Sequence, residues 1–283
     1  MKTIIKIIIL FFSFTVSFVP NQAFTEEKPN IQSGEKCFAV ATGVEYCLLN
    51  INSTPEIAGG RIHALRIDPL KAKLKLLLAS EQGKNPRTAA GWCKDFGLVA
   101  SINAGMYGKD LLTNVGYLRS GTYVQNKRWN KSYKSVLAFD PQKPDRPPAI
   151  MVDLDEPDAI RKVEDYAVII QNLRLIKGNG VNVWGRSDRK WSEAAVGMDI
   201  SGNILFLFCR APYSMKEFIE IIKSSKLGIV RLMHMEGGPV ASMSIRLKNV
   251  SIDLAGSYET EINPNDENKI QWPIPNVIGV QIK

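Results

Sequence analysis

The sequence predicts an α+β fold: a single domain of mixed β-sheet with a few flanking helices, including a βαβ crossover in the C-terminal third. Three observations carry this. Short apolar runs of strand length recur between residues 61 and 282, punctuated by Pro, Gly and Asn. Helical spacing of apolar residues shows in two stretches, 85–97 and 214–226. The order strand, helix, strand with short links over 203–235 predicts a right-handed parallel crossover. With 45% hydrophobic and 23% charged residues, a chain of this length can bury a sizeable core.

Taken in order, Met1 to Ala23 reads as a secretory signal peptide. Lys2 and Lys6 precede the apolar run Ile7 to Phe18, and Ala23 is the expected cut. Residues 24–59 read as a polar leader followed by a hairpin. That hairpin, centred on Thr42, would bring Cys37 opposite Cys47 in an exported, oxidised chain. Cys93 and Cys209 lie in apolar settings, where a bond and two buried thiols fit equally. The domain proper is expected over 60–283.

Strands are predicted at Arg61 to Asp68 and Leu74 to Ala79. A helix capped by Asn85, with Pro86 at its first position, ends at Gly97. The strand Leu98 to Ile102 runs into Asn103. Short strands follow at 117–118, 123–124, 135–139 and 149–152, with a proline-rich loop at 141–148, and then the apolar run Val168 to Ile176. Ser214 and Glu217 form a capping box for a helix that Gly228 closes. Ile229 to Met235 and Asn276 to Ile282 are the last strands.

The net charge of +8 is diffuse, with no zinc-finger spacing, RNA-binding aromatic box or basic heptad, so no nucleic-acid partner is expected. No stable membrane insertion is expected once the leader is cut. The chain has no Gly-x-Ser-x-Gly elbow, P-loop or dinucleotide fingerprint. No cofactor is called for, and a divalent cation held by acids and carbonyls would leave no diagnostic spacing.

Chemistry concentrates where apolar runs stop at polar residues and glycine. Glu236 follows the strand Ile229 to Met235 and precedes Gly237 and Gly238. At the carboxyl end of a parallel strand it would reach a ligand, and partial burial would raise its pKa as a general acid needs. Glu193 enters the apolar stretch that ends at Asp199, so the two carboxylates on adjacent strands would supply an acid and a base or nucleophile for glycosidic chemistry. His234 lies two residues before Glu236, on the same face by strand periodicity. Asn103 would bond a sugar hydroxyl or phosphate oxygen, Gly105 would permit close approach, and Tyr107 would stack under a sugar ring. Arg189 and Arg210 are the candidate phosphate contacts, and His63 reads as structural.

Residues 101–107, 192–202 and 235–242 together resemble the three signature blocks of the phosphodiester glycosidase domain family, that of the N-acetylglucosamine-1-phosphodiester alpha-N-acetylglucosaminidases. Those blocks run approximately Asn-Gly-Gly-Phe-Phe, Arg-Thr-Ala-Ile-Gly and Asn-Leu-Asp-Gly-Gly-Gly-Ser. This chain departs from them at Ala104, Met106, Tyr107, Glu193, Glu236 and Pro239. It is similar to a divergent bacterial exported branch. The resemblance implies hydrolysis of a sugar-1-phosphodiester in a cell-envelope or exopolysaccharide glycan, with a carboxylate near the anomeric carbon and amides or cations on the phosphate. Two other readings fit the same residues: a non-catalytic glycan-binding protein, and a hydrolase of non-phosphorylated glycosides.

Overall fold

A computed structural model describes residues 35–51, 60–185, 187–260 and 262–283. The expected signal peptide and nearly all of the leader fall outside these residues. Half of the described residues are in strands and 13% are helical.

The strands form three sheets. The largest runs β1 (Lys36–Ala41), β2 (Val44–Asn50), β3 (Arg61–Ile67), β14 (Ile204–Ser214), β13 (Lys190–Asp199), β15 (Ile229–Gly237), β11 (Arg174–Lys177), β12 (Val181–Asn182). A second runs β7 (Tyr123–Asn126), β6 (Leu118–Ser120), β10 (Tyr166–Asn172), β8 (Ser135–Pro141), β9 (Ala149–Asp153). The third runs β17 (Val250–Ala255), β16 (Ser242–Leu247), β5 (Ala100–Asn103), β18 (Asn276–Ile282), β4 (Ala72–Leu78). Three α-helices accompany them: α1 (Ala89–Phe96), α2 (Ala159–Glu164) and α3 (Met215–Ser224).

This corrects the α+β expectation. The ladders within all three sheets are antiparallel, so the fold is mostly β with a few short helices. The crossover β14–α3–β15 exists, but β13 lies between its two strands and pairs antiparallel with both. The physical reason is local. Asp199 accepts from the Ser201 and Asn203 backbone N–H groups, both 2.9 Å, and closes a tight hairpin that seats β14 beside β13 before α3 begins. Glu236 therefore does not end a strand in a parallel sheet.

Alternation explains how the sheets share one core. In β14, Ile204, Phe206 and Phe208 face a central cluster that also takes Leu74 and Leu76 of β4, Leu137 and Phe139 of β8 and Ile278 of β18. Leu205, Leu207 and Cys209 face the opposite side, where Met215, Phe218, Ile219 and Ile222 of α3 cover them. In the same way α2 covers the second sheet through Val163, and α1 covers the third through Trp92. Each sheet thus has one face on the common core and one under a helix.

Several local details follow the sequence. The Ser214–Glu217 capping box is formed. The Cys37–Cys47 disulfide closes the β1–β2 hairpin, whose β2 then pairs with β3. Cys93 and Cys209 are buried free thiols. The α1 helix differs from expectation: Thr88, not Asn85, caps it by accepting from the Gly91 N–H at 3.0 Å, and Gly97 ends it at φ 60°. His63 is structural, as read, and bonds Tyr46 at 2.7 Å; burial pushes its pKa down to about 4. Among the described residues, no helix is long and apolar enough to cross a membrane.

Candidate functional site

The three chemistry-bearing segments meet where β13, β15 and the loops after β5 and β17 converge. Asn103 ends β5 and is almost fully buried. Its Oδ1 accepts from the Ser242 N–H at 2.7 Å, and its Nδ2 donates to the Val240 carbonyl at 3.1 Å. The expected substrate amide is thus a clamp that holds the turn after Gly238 against β5. Sequence shows a strand-end amide but not whether backbone or ligand takes its bonds.

β13 and β15 pair with Glu193 opposite Gly237 and Ala194 opposite Glu236, whereas Ala195 lies opposite His234. Three residues of β15 thus face two of β13, a bulge centred on Met235. The bulge interrupts the plain alternation from which a shared face for His234 and Glu236 was expected. Such an insertion re-aims side chains at a sheet end, and His234 and Glu236 lie near enough for each charge to act on the other.

Glu193 is 1% exposed, and both of its oxygens are engaged. Oε1 lies 2.7 Å from His234 Nδ1, and Oε2 accepts from Trp191 Nε1 at 2.7 Å. This carboxylate reaches His234, not solvent, so it is a support for the histidine rather than a group at a sugar carbon. Burial pushes its carboxyl pKa up, against the opposing pull of His234 and Trp191. For His234, burial is the largest single influence and works downward, but the charge and hydrogen bond of Glu193 together with the Glu236 and Glu259 charges carry the net shift up. An indole N–H can only donate, so Oε2 accepts from Trp191, and Oε1 is the oxygen that shares a proton with His234 Nδ1. The pair handles one shared proton, and the geometry favours placing it on His234.

Glu236 is half-buried. Its Oε1 accepts from the Gly237 N–H at 3.1 Å. Burial raises its pKa to about 7; the Glu193 and Glu259 carboxylates push the same way, while His234 and the Gly237 N–H oppose. A carboxyl poised there can give or take a proton near neutrality. Tyr107 is half-buried beside it. Burial, then the Glu236 charge, raises that phenol to about 12, and Tyr133 shifts up for the same two causes. Both hydroxyls therefore stay protonated donors at neutral pH.

The glycines have defined work. Gly237 leaves room for Trp191, whose Cδ1 would lie 2.7 Å from an added Cβ. Gly238, at φ 66°, is crossed by Glu259 Oε2, 2.9 Å from the same construction. At Gly105, φ 116°, an added Cβ would lie 2.4 Å from Asn114 Oδ1. The two arginines do not join the cluster as expected. Arg210 holds the loop after β17 through Ala255, Asp266 and the Asn268 carbonyl. Arg189 is exposed on the loop that enters β13.

Sequence reasoning missed Trp191, Glu259 and Tyr133. Trp191 is two residues from Glu193 on one strand, a spacing that period two makes readable. Glu259 and Tyr133 come from loops with no periodic signal.

Among the described residues, the His, Cys, Asp and Glu groups close enough together to meet on a metal reduce to Glu35 with Cys37 and Cys47. The two cysteines there form a disulfide, so the donor set does not fit an ion.

The phosphodiester glycosidase family model matches residues 96–281. A comparison with curated protein sequences finds no match. Among solved structures, the chain is similar to the zebrafish N-acetylglucosamine-1-phosphodiester alpha-N-acetylglucosaminidase catalytic domain auto-inhibited by its pro-peptide. The TM-score is 0.60 at 12% identity, covering 90% of this chain and 89% of that one. It is also similar to a hypothetical protein from Synechocystis, with a TM-score of 0.54 at 14% identity over 91% of this chain and 64% of that one. At these identities the structural likeness speaks to fold.

Proposed function

Since the chain belongs to the phosphodiester glycosidase family, we propose that it hydrolyses the glycosidic bond of a sugar-1-phosphodiester in a cell-envelope or exopolysaccharide glycan, with Glu236 as the reacting carboxylate. Residues 60–283 form the catalytic body. One observation carries the reading. The segments that hold the sequence blocks, far apart in the chain, converge through Asn103 to Ser242 and Glu193 to His234, with Glu236 beside them.

The phosphate monoester is a good leaving group, so the step needs charge stabilisation and water activation, with one proton donor for the bridging oxygen. Glu236, ionised above about pH 7, takes the proton of a water that attacks the anomeric carbon. Tyr107 and Tyr133 offer hydroxyl donors and ring surface to the sugar. The Cys37–Cys47 bond supports an exported protein, since disulfides persist in oxidising compartments.

One observation also favours a hydrolase of neutral glycosides: a Glu236 that keeps its proton to about 7 is suited to protonate a poor leaving group. Purified protein assayed for free sugar on sugar-1-phosphodiesters and on matched neutral glycosides separates the two. The proposal expects turnover of the phosphodiesters. Turnover of the neutral glycosides alone overturns it.

A further inference from the structure

We propose that His234 is the catalytic partner of Glu236, presenting Nε2–H to the bridging oxygen of the departing phosphate, and that Trp191 and Glu193 are positioning residues that hold it in that state. The inference rests on the hydrolytic reading above and assigns the acid side of the reaction to an imidazole in place of a second carboxylate.

The geometry forms a chain of three groups. Trp191 Nε1 donates to Glu193 Oε2 at 2.7 Å, which leaves Oε1 to bond His234 Nδ1 at 2.7 Å. A carboxylate on Nδ1 fixes the ring's orientation and puts hydrogen there, so the chemistry falls to Nε2. Nε2 has no hydrogen-bond partner among the described residues, and the side chain keeps 7% exposure. Trp191 also packs edge-on against the imidazole, with ring centroids 6.3 Å apart at 77°. Gly237 is what permits that ring to sit there. A histidine used only to fill the sheet would not need a fully buried carboxylate and an indole donor behind it.

The charged and titratable groups around the ring are Glu193, Glu236 and Glu259, with Tyr107 and Tyr133 beyond Glu236. The nearby carboxylates favour the imidazolium, in which Nε2 carries hydrogen. In the step, the bond from the anomeric carbon to oxygen breaks and its electron pair stays on the phosphate oxygen, which takes the Nε2 proton. Water bonds to the anomeric carbon and gives its proton to Glu236. Return of that proton to His234 restores the enzyme, and the net consumption is one water.

The chain has two histidines, which makes a direct test simple. Ring-nitrogen NMR of the whole protein reads tautomer and titration without any substrate. The expected result is one histidine titrating near 4, His63, and one that stays protonated above pH 6.5 with hydrogen on both nitrogens. E193Q should lower the second titration, and W191F should lower it less. A His234 that is neutral at pH 6, or that titrates unchanged in E193Q, overturns the proposal whether or not any sugar substrate has been found. Kinetics add a second readout. H234N should cut kcat on sugar-1-phosphodiesters by on the order of 10²–10⁴-fold and remove the alkaline limb of the pH profile. E193Q should move that limb to lower pH, which lost packing alone would not do. An H234N enzyme that keeps the limb contradicts the assignment. Loss of the reading above would instead show as no sugar release by the parent protein, with the NMR result intact.

Discussion

Two buried acidic clusters stand at β15, and their difference separates architecture from chemistry. At one end, Asp153 of β9 is 0% exposed and fully matched. Arg174 and Arg231 reach it at 3.4 and 3.3 Å, and the Gly178 N–H donates at 2.8 Å. Arg231 also bonds Glu156 at 2.5 Å, and Arg174 bonds Asp155 at 2.7 Å. At the other end, Glu193 has an indole and an imidazole, and Glu236 has one backbone N–H. Burial first, and then the Glu193 and Glu259 carboxylates, raise the Glu236 pKa, with His234 and the Gly237 N–H opposing. Buried carboxylates that are matched by guanidinium groups hold structure. Glu236, left short of cations, keeps its proton to about pH 7 and remains reactive.

The largest expected contrast is in activity. E236Q should lower sugar release by ~10²-fold or more while leaving the folded circular-dichroism spectrum unchanged. D153A should do the reverse. It leaves Arg174 and Arg231 without their shared carboxylate, and denaturant titration should show a loss of about 3–5 kcal/mol. If D153A removed activity at unchanged stability, the division between the clusters would fail.

Next in size is the pH response. The Glu236 pKa lies above its ordinary value, so the folded state binds its proton more tightly than the unfolded chain does. The group's contribution to stability is therefore fully present below about 4.5, falls as pH rises to about 7, and is level beyond. Thermal unfolding of the parent relative to E236Q across pH 4–8 checks the sign: the parent should lose ground as pH rises through that window. A difference that grew with pH would contradict a raised Glu236 pKa.

Smaller effects should come from the backbone. G238A puts a side chain at φ 66° against Glu259, and a loss of about 1 kcal/mol is expected, with activity falling as Glu259 moves. S214A removes the α3 cap far from Glu236 and should cost about 1 kcal/mol with kcat unchanged.

Much of this arrangement was legible in the sequence, for identifiable reasons. Local signals held: the capping box of α3, the β1–β2 hairpin that joins Cys37 to Cys47, and Gly97 at the end of α1. The positions of Glu193 and Glu236 on neighbouring strands were readable from apolar runs and the Asp199 turn. Pairing direction was not, because strand, helix, strand with short links does not reveal that β13 occupies the place between β14 and β15. Side-chain partners were less legible still. Asn103 and Arg210 are residue types that bind sugars and phosphates, yet backbone carbonyls and Asp266 take their bonds. The bulge at Met235 breaks the period on which the placement of His234 rested. Glu259 is brought in by a loop whose anchors, Trp191 and Asn263, are known only from the fold.

The most direct test is the initial rate of sugar release from a sugar-1-phosphodiester, measured for the parent protein and for E236Q across pH 5–9. The parent should release sugar at a rate that rises through about pH 7, and E236Q should release almost none at any pH. An E236Q protein that matched the parent, with the same rise, would remove Glu236 from the reaction.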